Sequence, residues 1–229
     1  MPILKRTHTS GPAAPRNGYA HEWAALRRLS TPAKVQAFLD TLAYSADPFY
    51  RHPGRVVRDR KANCVDGALL AAAAFRMSGR PPVVMELCAC NDDDHYVAVF
   101  REGVRFGAVA RSNYSGLRYR PPVYRSCREL AMSYCADYFN TRRQFTLRSR
   151  SIPVDLRRFD ALGWMTEDDR IEELTLRIEG VRHVTLIAAP VAATLPRVDA
   201  RAFQAGLLGA RPAGLYRPGK RRAAGGRGA

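Results

Sequence analysis

The 229-residue chain contains no pair of cysteines spaced as CxxC, and it has five cysteines in all, Cys64, Cys88, Cys90, Cys127 and Cys135. Zinc ribbons and thioredoxin-type redox sites depend on such a pair, so the sequence argues against both classes. An odd number of cysteines also makes a disulfide framework a poor interpretation. We therefore expect reduced thiols, most of them buried as small apolar side chains.

Long apolar runs are also missing. No segment approaches the roughly 20 apolar residues that a membrane-spanning helix needs. Lys5 and Arg6 are followed by no apolar stretch, so the start of the chain does not have the pattern of a secretory signal. We expect a cytoplasmic protein that does not bind membranes, with enough apolar residues, 46%, to form a core without cross-links.

Acidic residues are few: 21 stand against 37 lysines and arginines, which gives a formal net charge of +16. Such an excess favours contact with anionic partners, nucleic acid among them. However, no nucleic-acid-binding motif accompanies the charge, arginine greatly outnumbers lysine, and much of the excess falls after Pro196. We interpret the charge as compositional and expect no sequence-specific binding of nucleic acid.

Composition divides the chain into three parts. Residues 1–20 are rich in Pro, Gly, Ser and Thr and lack periodicity, which is typical of a flexible tail. Residues 21–195 carry the periodic apolar patterns of one folded domain. Residues 196–229 are rich in Ala, Gly, Pro and Arg, and we expect them to form a basic, disordered tail.

Helices and strands are segregated within the domain. One helix is predicted after Thr31, a good N-cap, and a second begins at Cys64, contains an alanine run and ends before Gly79. Three strand-like runs follow, at 83–89, 95–101 and 104–110. A tight turn joins the last two as a hairpin. The sequence therefore predicts an α+β fold in which a buried helix that starts with Cys64 packs on an antiparallel sheet.

Cys64 is the candidate nucleophile because the start of a helix stabilises a thiolate and can stabilise a developing oxyanion. His95, at the head of a predicted strand, is the candidate base. A base needs an acceptor that orients it, and the predicted hairpin brings Ser112 and Asn113 back towards His95. The amide oxygen of Asn113 could then fix the tautomer of the imidazole, with Ser112 as the alternative.

Three segments of the chain, ANCVDGALLAAAAFRMSG, DDDHYVAVF and VRFGAVARSN, resemble the core of the transglutaminase-like superfamily. That superfamily places Cys at the start of a buried helix, His on a following strand and Asp or Asn on the next. The resemblance covers roughly residues 60–115 and implies a papain- or transglutaminase-like core. It also implies a catalytic triad of Cys64, His95 and Asn113, although the family more often has Asp in the third position.

Two functions are consistent with these residues. The first is a thiol-dependent amide hydrolase or acyltransferase, with an unidentified amide-containing substrate and no cofactor. The alternative is a non-catalytic module on the same scaffold, whose basic tails contact an anionic partner. A metal site is not expected, because Cys88, Cys90 and His95 do not have a standard zinc spacing, and the acidic run of residues 92–94 is interpreted as a solvated turn.

Overall fold

The computed structural model describes residues 18–216. Most of the predicted N-terminal tail and the end of the predicted C-terminal tail therefore lie outside the described residues. Within the described part the helices are α1 (Ala20–Arg28), α2 (Pro32–Asp40), α3 (Pro53–Asp59), α4 (Cys64–Met77), α5 (Cys127–Met132), α6 (Ile171–Glu179), α7 (Ala189–Ala193) and α8 (Ala200–Gly206). Short 3-10 helices occupy Cys135–Asp137, Leu156–Leu162 and Pro212–Gly214.

The strands are β1 (Ala43–Tyr44), β2 (Lys61–Ala62), β3 (Val83–Ala89), β4 (His95–Glu102), β5 (Arg105–Val109), β6 (Arg120–Tyr124), β7 (Leu147–Ser151), β8 (Val154–Asp155) and β9 (His183–Thr185). The main sheet runs in the order β6-β5-β4-β3-β7-β9, with β8 paired to the start of β3. Every pairing in it is antiparallel. The predicted α+β class is confirmed.

Helix α4 lies on one face of this sheet. Its residues from Cys64 to Phe75 are all buried, which suits a helix that is apolar on every side. The four alanines in its middle let the backbone approach the strands closely. Along β4, Tyr96, Ala98 and Phe100 pack in clusters that contain α4 residues.

The opposite face of the sheet is covered by α5 and the segment that follows it. Val97 and Val99 of β4 pack there, together with Tyr134 and Tyr138. This alternation is the two-residue period of a strand, and here both faces are buried. In residues 18–216 no helix has the length and apolar content needed to cross a membrane; the longest, α4, has 14 residues.

The beginning of the predicted C-terminal tail packs on the domain. Val198 is 1% exposed and belongs to the apolar cluster on the α5 face. Its N–H donates to the carbonyl of Arg143. Asp199 caps α8, and Gly206 of that helix lies against the ring of Phe139. The described chain therefore stays packed beyond residue 196, because a few apolar anchors suffice to hold a segment of otherwise tail-like composition.

This packing gives a stability prediction. Val198→Ala removes a fully buried apolar group and should lower the free energy of unfolding by about 1–2 kcal/mol. Leu208→Ala is the matched control, since Leu208 is 80% exposed and its loss should change stability by less than about 0.5 kcal/mol. Urea denaturation monitored by fluorescence measures both. Equal, negligible effects would contradict the packing of this segment.

Candidate functional site

The N-terminus of α4 is held by a reciprocal capping box. The Asp66 N–H donates to Oδ1 of Asn63 over 3.0 Å, and the Asn63 N–H donates to the Asp66 carboxylate over 3.1 Å. Such a box fixes where a helix begins. Cys64 is therefore the first helical residue, as predicted, and its side chain is 7% exposed.

A buried ionic network anchors this helix start from the side. Asp66 also accepts from the Arg51 N–H over 2.8 Å, and the Arg51 guanidinium lies 3.6 Å from the same carboxylate. Arg51 pairs with Asp47 and Asp59 as well. Burial raises the pKa of Asp66 to about 6, against the opposing effect of the hydrogen bonds from Arg51 and Asn63. The position of Cys64 thus depends on a charged cluster whose central pair, Arg51 and Asp66, is buried.

The thiol of Cys64 reaches the head of β4. Its Sγ lies 3.8 Å from the carbonyl oxygen of Asp94, the residue that precedes His95. The helix start and the strand start that the sequence singled out therefore meet at one end of the sheet.

His95 is a buried, neutral imidazole. Its Nε2 lies 2.9 Å from the carbonyl oxygen of Leu117, and since a carbonyl can only accept, Nε2 carries the hydrogen. Burial lowers the pKa of His95 to about 4, although the hydrogen bond to Leu117 opposes this. At neutral pH the proton is therefore on Nε2, and Nδ1 is an acceptor.

The ring of His95 lies on the face of the sheet opposite α4. It meets Tyr134 and Tyr138 edge-on, with centroids 6.3 and 6.4 Å away. The cause is the two-residue period of the strand: Tyr96 faces α4, so its neighbour His95 faces away. Cys64 and His95 therefore approach the same end of β4 from different faces.

Asn113 is engaged elsewhere. Its Oδ1 accepts from the Arg211 N–H over 2.8 Å, and its Nδ2 donates to the Arg211 carbonyl over 2.9 Å. Ser112, the alternative, accepts from the N–H of Tyr114. The acceptor at His95 is the Leu117 carbonyl, which differs from the predicted arrangement. Asn113 instead fastens the C-terminal segment to the domain.

The acidic turn before His95 is packed, not simply solvated. Asp94 accepts from the Ala89 N–H over 2.7 Å, and Asp92 accepts from the hydroxyl of Thr146 over 2.8 Å. Burial raises the pKa of both carboxyls to about 7, and the nearby Glu86 and Glu179 add to the shift of Asp94. The interpretation of this run as a solvated turn needs that correction, because these hydrogen bonds tie it to β3 and to the strand-end at β7.

A second group of polar side chains crosses the sheet on the α4 face. Glu86 of β3 pairs in register with Tyr96, and its N–H donates to Oγ of Ser151 over 2.9 Å. His183 pairs in register with Ser151 and places Nε2 3.0 Å from the Glu86 carboxylate. Sequence reasoning missed this group. Its one signal was Glu86, a charge within an otherwise apolar strand, where a buried charge requires a partner.

No model of a known protein family matches the chain, and no curated protein matches it either. The likeness to the transglutaminase-like superfamily thus rests on the order of the motif residues alone. Two features of the described chain bear on its chemistry: a thiol at a capped helix start beside the head of β4, and a carboxylate–imidazole pair across the sheet.

Proposed function

We propose that the chain is a thiol-dependent amide hydrolase or acyltransferase of the transglutaminase-like kind, with Cys64 as its nucleophile. The observation that supports this is the position of the thiol: first residue of a capped, buried helix, 3.8 Å from the peptide that leads into His95. The partial positive charge of a helix start stabilises a thiolate, and the N–H groups of its first turn suit an oxyanion.

In this reaction Cys64 gives its proton to Nδ1 of His95, and its sulfur attacks the amide carbonyl. The carbon–nitrogen bond breaks, His95 returns the proton to the leaving amine, and water or an amine releases the thioester. The Leu117 carbonyl takes the orienting role predicted for Asn113, because it holds the hydrogen on Nε2. Catalysis requires Sγ and Nδ1 to meet across the end of β4.

The second candidate is a non-catalytic module whose basic tails contact an anionic partner. The placement of the His95 ring on the face opposite α4 favours it, because such a ring packs as a core side chain. Thiol reactivity separates the two functions, since a scaffold gains nothing from an activated Cys64.

The test is alkylation with iodoacetamide between pH 5.5 and 9, mapped to individual peptides. At pH 6.5 we expect Cys64 to react at least about tenfold faster than Cys90, the exposed thiol that serves as the internal reference. His95→Ala should remove most of that advantage. If Cys64 in the native protein reacts no faster than Cys90, the enzyme proposal is wrong and the non-catalytic module is supported.

Asn113→Ala is the matched variant in the same experiment. Because both polar atoms of the Asn113 amide bind Arg211, we expect this substitution to leave the reactivity of Cys64 close to that of the wild type. A loss as large as that of His95→Ala would instead restore Asn113 as the third catalytic residue.

A further inference from the structure

Three side chains with different donor atoms converge on the α4 face of the sheet. They are Glu86, Cys88 and His183, whose carboxylate oxygen, sulfur and ring nitrogen all lie within 4.8 Å of one another. The separation between Nε2 of His183 and the Glu86 carboxylate is 3.0 Å.

The sheet itself builds this cluster. Glu86 and Cys88 are two residues apart on β3, so their side chains leave the same face. His183 comes from β9, and β7 lies between β9 and β3 in the sheet. The pairing of Ser151 on β7 with His183 fixes the position of His183 along the strand direction. The donors come from two strands, β3 and β9, which β7 joins by hydrogen bonds, so they are held in place before any ligand arrives.

The distances suit a small tetrahedral cation. Zinc binds nitrogen and oxygen at about 2.0–2.1 Å and sulfur at about 2.3 Å, which places neighbouring donors about 3.3–3.6 Å apart. The separation of 3.0 Å between His183 and Glu86 is already close to that spacing, and the sulfur of Cys88 lies within 4.8 Å of both donors. A mixed set of nitrogen, sulfur and oxygen donors also favours zinc-class metals over calcium or magnesium.

The environment of the Glu86 carboxyl is typical of a carboxylate that binds a metal ion. This carboxyl is 1% exposed, and a buried carboxylate is stable only with compensating positive charge. The Tyr96 hydroxyl lies 3.4 Å from its second oxygen and can orient it, as outer-shell groups do for metal ligands. His183 is partly exposed, so the cluster opens to solvent on that side.

We propose that Glu86, Cys88 and His183 form a binding site for a zinc-class divalent metal ion, with the fourth position open to water. This site shares no residue with the Cys64 chemistry and does not depend on it.

The experiment uses tag-free full-length protein, stripped with a chelator and titrated with Co²⁺. We expect one equivalent to bind with a tetrahedral ligand-field spectrum and a thiolate-to-cobalt charge-transfer band, and Zn²⁺ to displace it. Cys88→Ser should abolish the charge-transfer band, and Glu86→Gln and His183→Ala should each weaken binding at least about tenfold. Cys90 is a nearby exposed cysteine, and Cys90→Ser should leave both the charge-transfer band and the affinity for Co²⁺ unchanged.

A second readout guards against variants that fail to fold. Zn²⁺ should raise the thermal midpoint of the wild type and of Cys90→Ser, but not that of Cys88→Ser. The proposal is overturned if the wild type binds no Co²⁺, if the charge-transfer band survives Cys88→Ser, if the band disappears in Cys64→Ser, or if Zn²⁺ stabilises Cys88→Ser as strongly as the wild type.

Discussion

Arg51→Met should destabilise the protein by about 1–3 kcal/mol at pH 7, because Asp66 loses its buried cation and must take up a proton, and the pairs of Arg51 with Asp47 and Asp59 are lost as well. The guanidinium and the Asp66 carboxylate are both buried, 3.6 Å apart, and Asp66 forms half of the capping box of α4. The free energy of unfolding from urea titration at pH 7 measures the effect. Arg55→Met is the control: Arg55 also pairs with Asp59, but it is more exposed, and its loss should cost at most about 1 kcal/mol.

The pH dependence identifies the cause. Since burial raises the pKa of Asp66 to about 6 from its ordinary value of 3.8, the folded state binds its proton more tightly than the unfolded state does. Stability from this group therefore falls as pH rises from about 4 through about 6. Without Arg51 the ionised carboxylate is less tolerated, so the deficit of Arg51→Met should be smaller at pH 5 than at pH 8. Asp66→Asn should recover part of it. A deficit that stays the same at both pH values would contradict this explanation.

Local signals in the sequence were enough to predict the helix and strands that frame the site. An alanine run forms the body of α4, Gly79 follows its end, and a two-residue turn closes the hairpin of β4 and β5. Each of these features depends on residues close together in the chain, which is why helix propensity and turn rules found them. The capping box of Asn63 and Asp66 was seen only in the structure.

The direction of the His95 side chain could not be predicted in the same way. The segment HYVAVF is apolar at nearly every position because β4 is buried on both faces, so it lacks the polar–apolar alternation that reveals which residues point inward. Whether His95 or Tyr96 faces α4 is decided only when the helix docks. The order of the motif residues carried no information on this choice.

Contacts between residues far apart in the chain could not be predicted from the sequence either. Asn113 binds Arg211 and Glu86 meets His183, each across almost a hundred residues, and no local pattern links the partners. The C-terminal segment was hidden for the same reason: its anchors, Val198 and the Arg211 backbone, are few and separated by residues of tail-like composition.

The burial of His95 predicts a distinct loss of stability in acid. Its pKa is lowered to about 4 from an ordinary value of 6.5, so between these values the unfolded state binds more protons than the folded state. The contribution of His95 to the free energy of unfolding is fully present above pH 6.5 and is lost as pH falls towards 4. The lowering of the His95 pKa from 6.5 to about 4 corresponds to about 3 kcal/mol in the free energy of unfolding. Asp66, Asp92 and Asp94 act in the opposite direction, since their pKa values are raised, so the total curve of the wild type mixes both effects.

His95→Gln isolates the histidine, because glutamine can still donate to the Leu117 carbonyl but cannot ionise in this range. The three aspartates are common to both proteins, so their contributions largely cancel in the difference. We expect the stability of the wild type relative to His95→Gln to fall by about 3 kcal/mol between pH 7 and pH 4, measured by urea titration at half-unit steps. His21→Gln, at an exposed histidine, is the control substitution and should change the free energy of unfolding at pH 7 by less than about 0.5 kcal/mol. If the His95→Gln difference instead stays constant over this range, burial does not lower the pKa of His95 and this explanation is wrong.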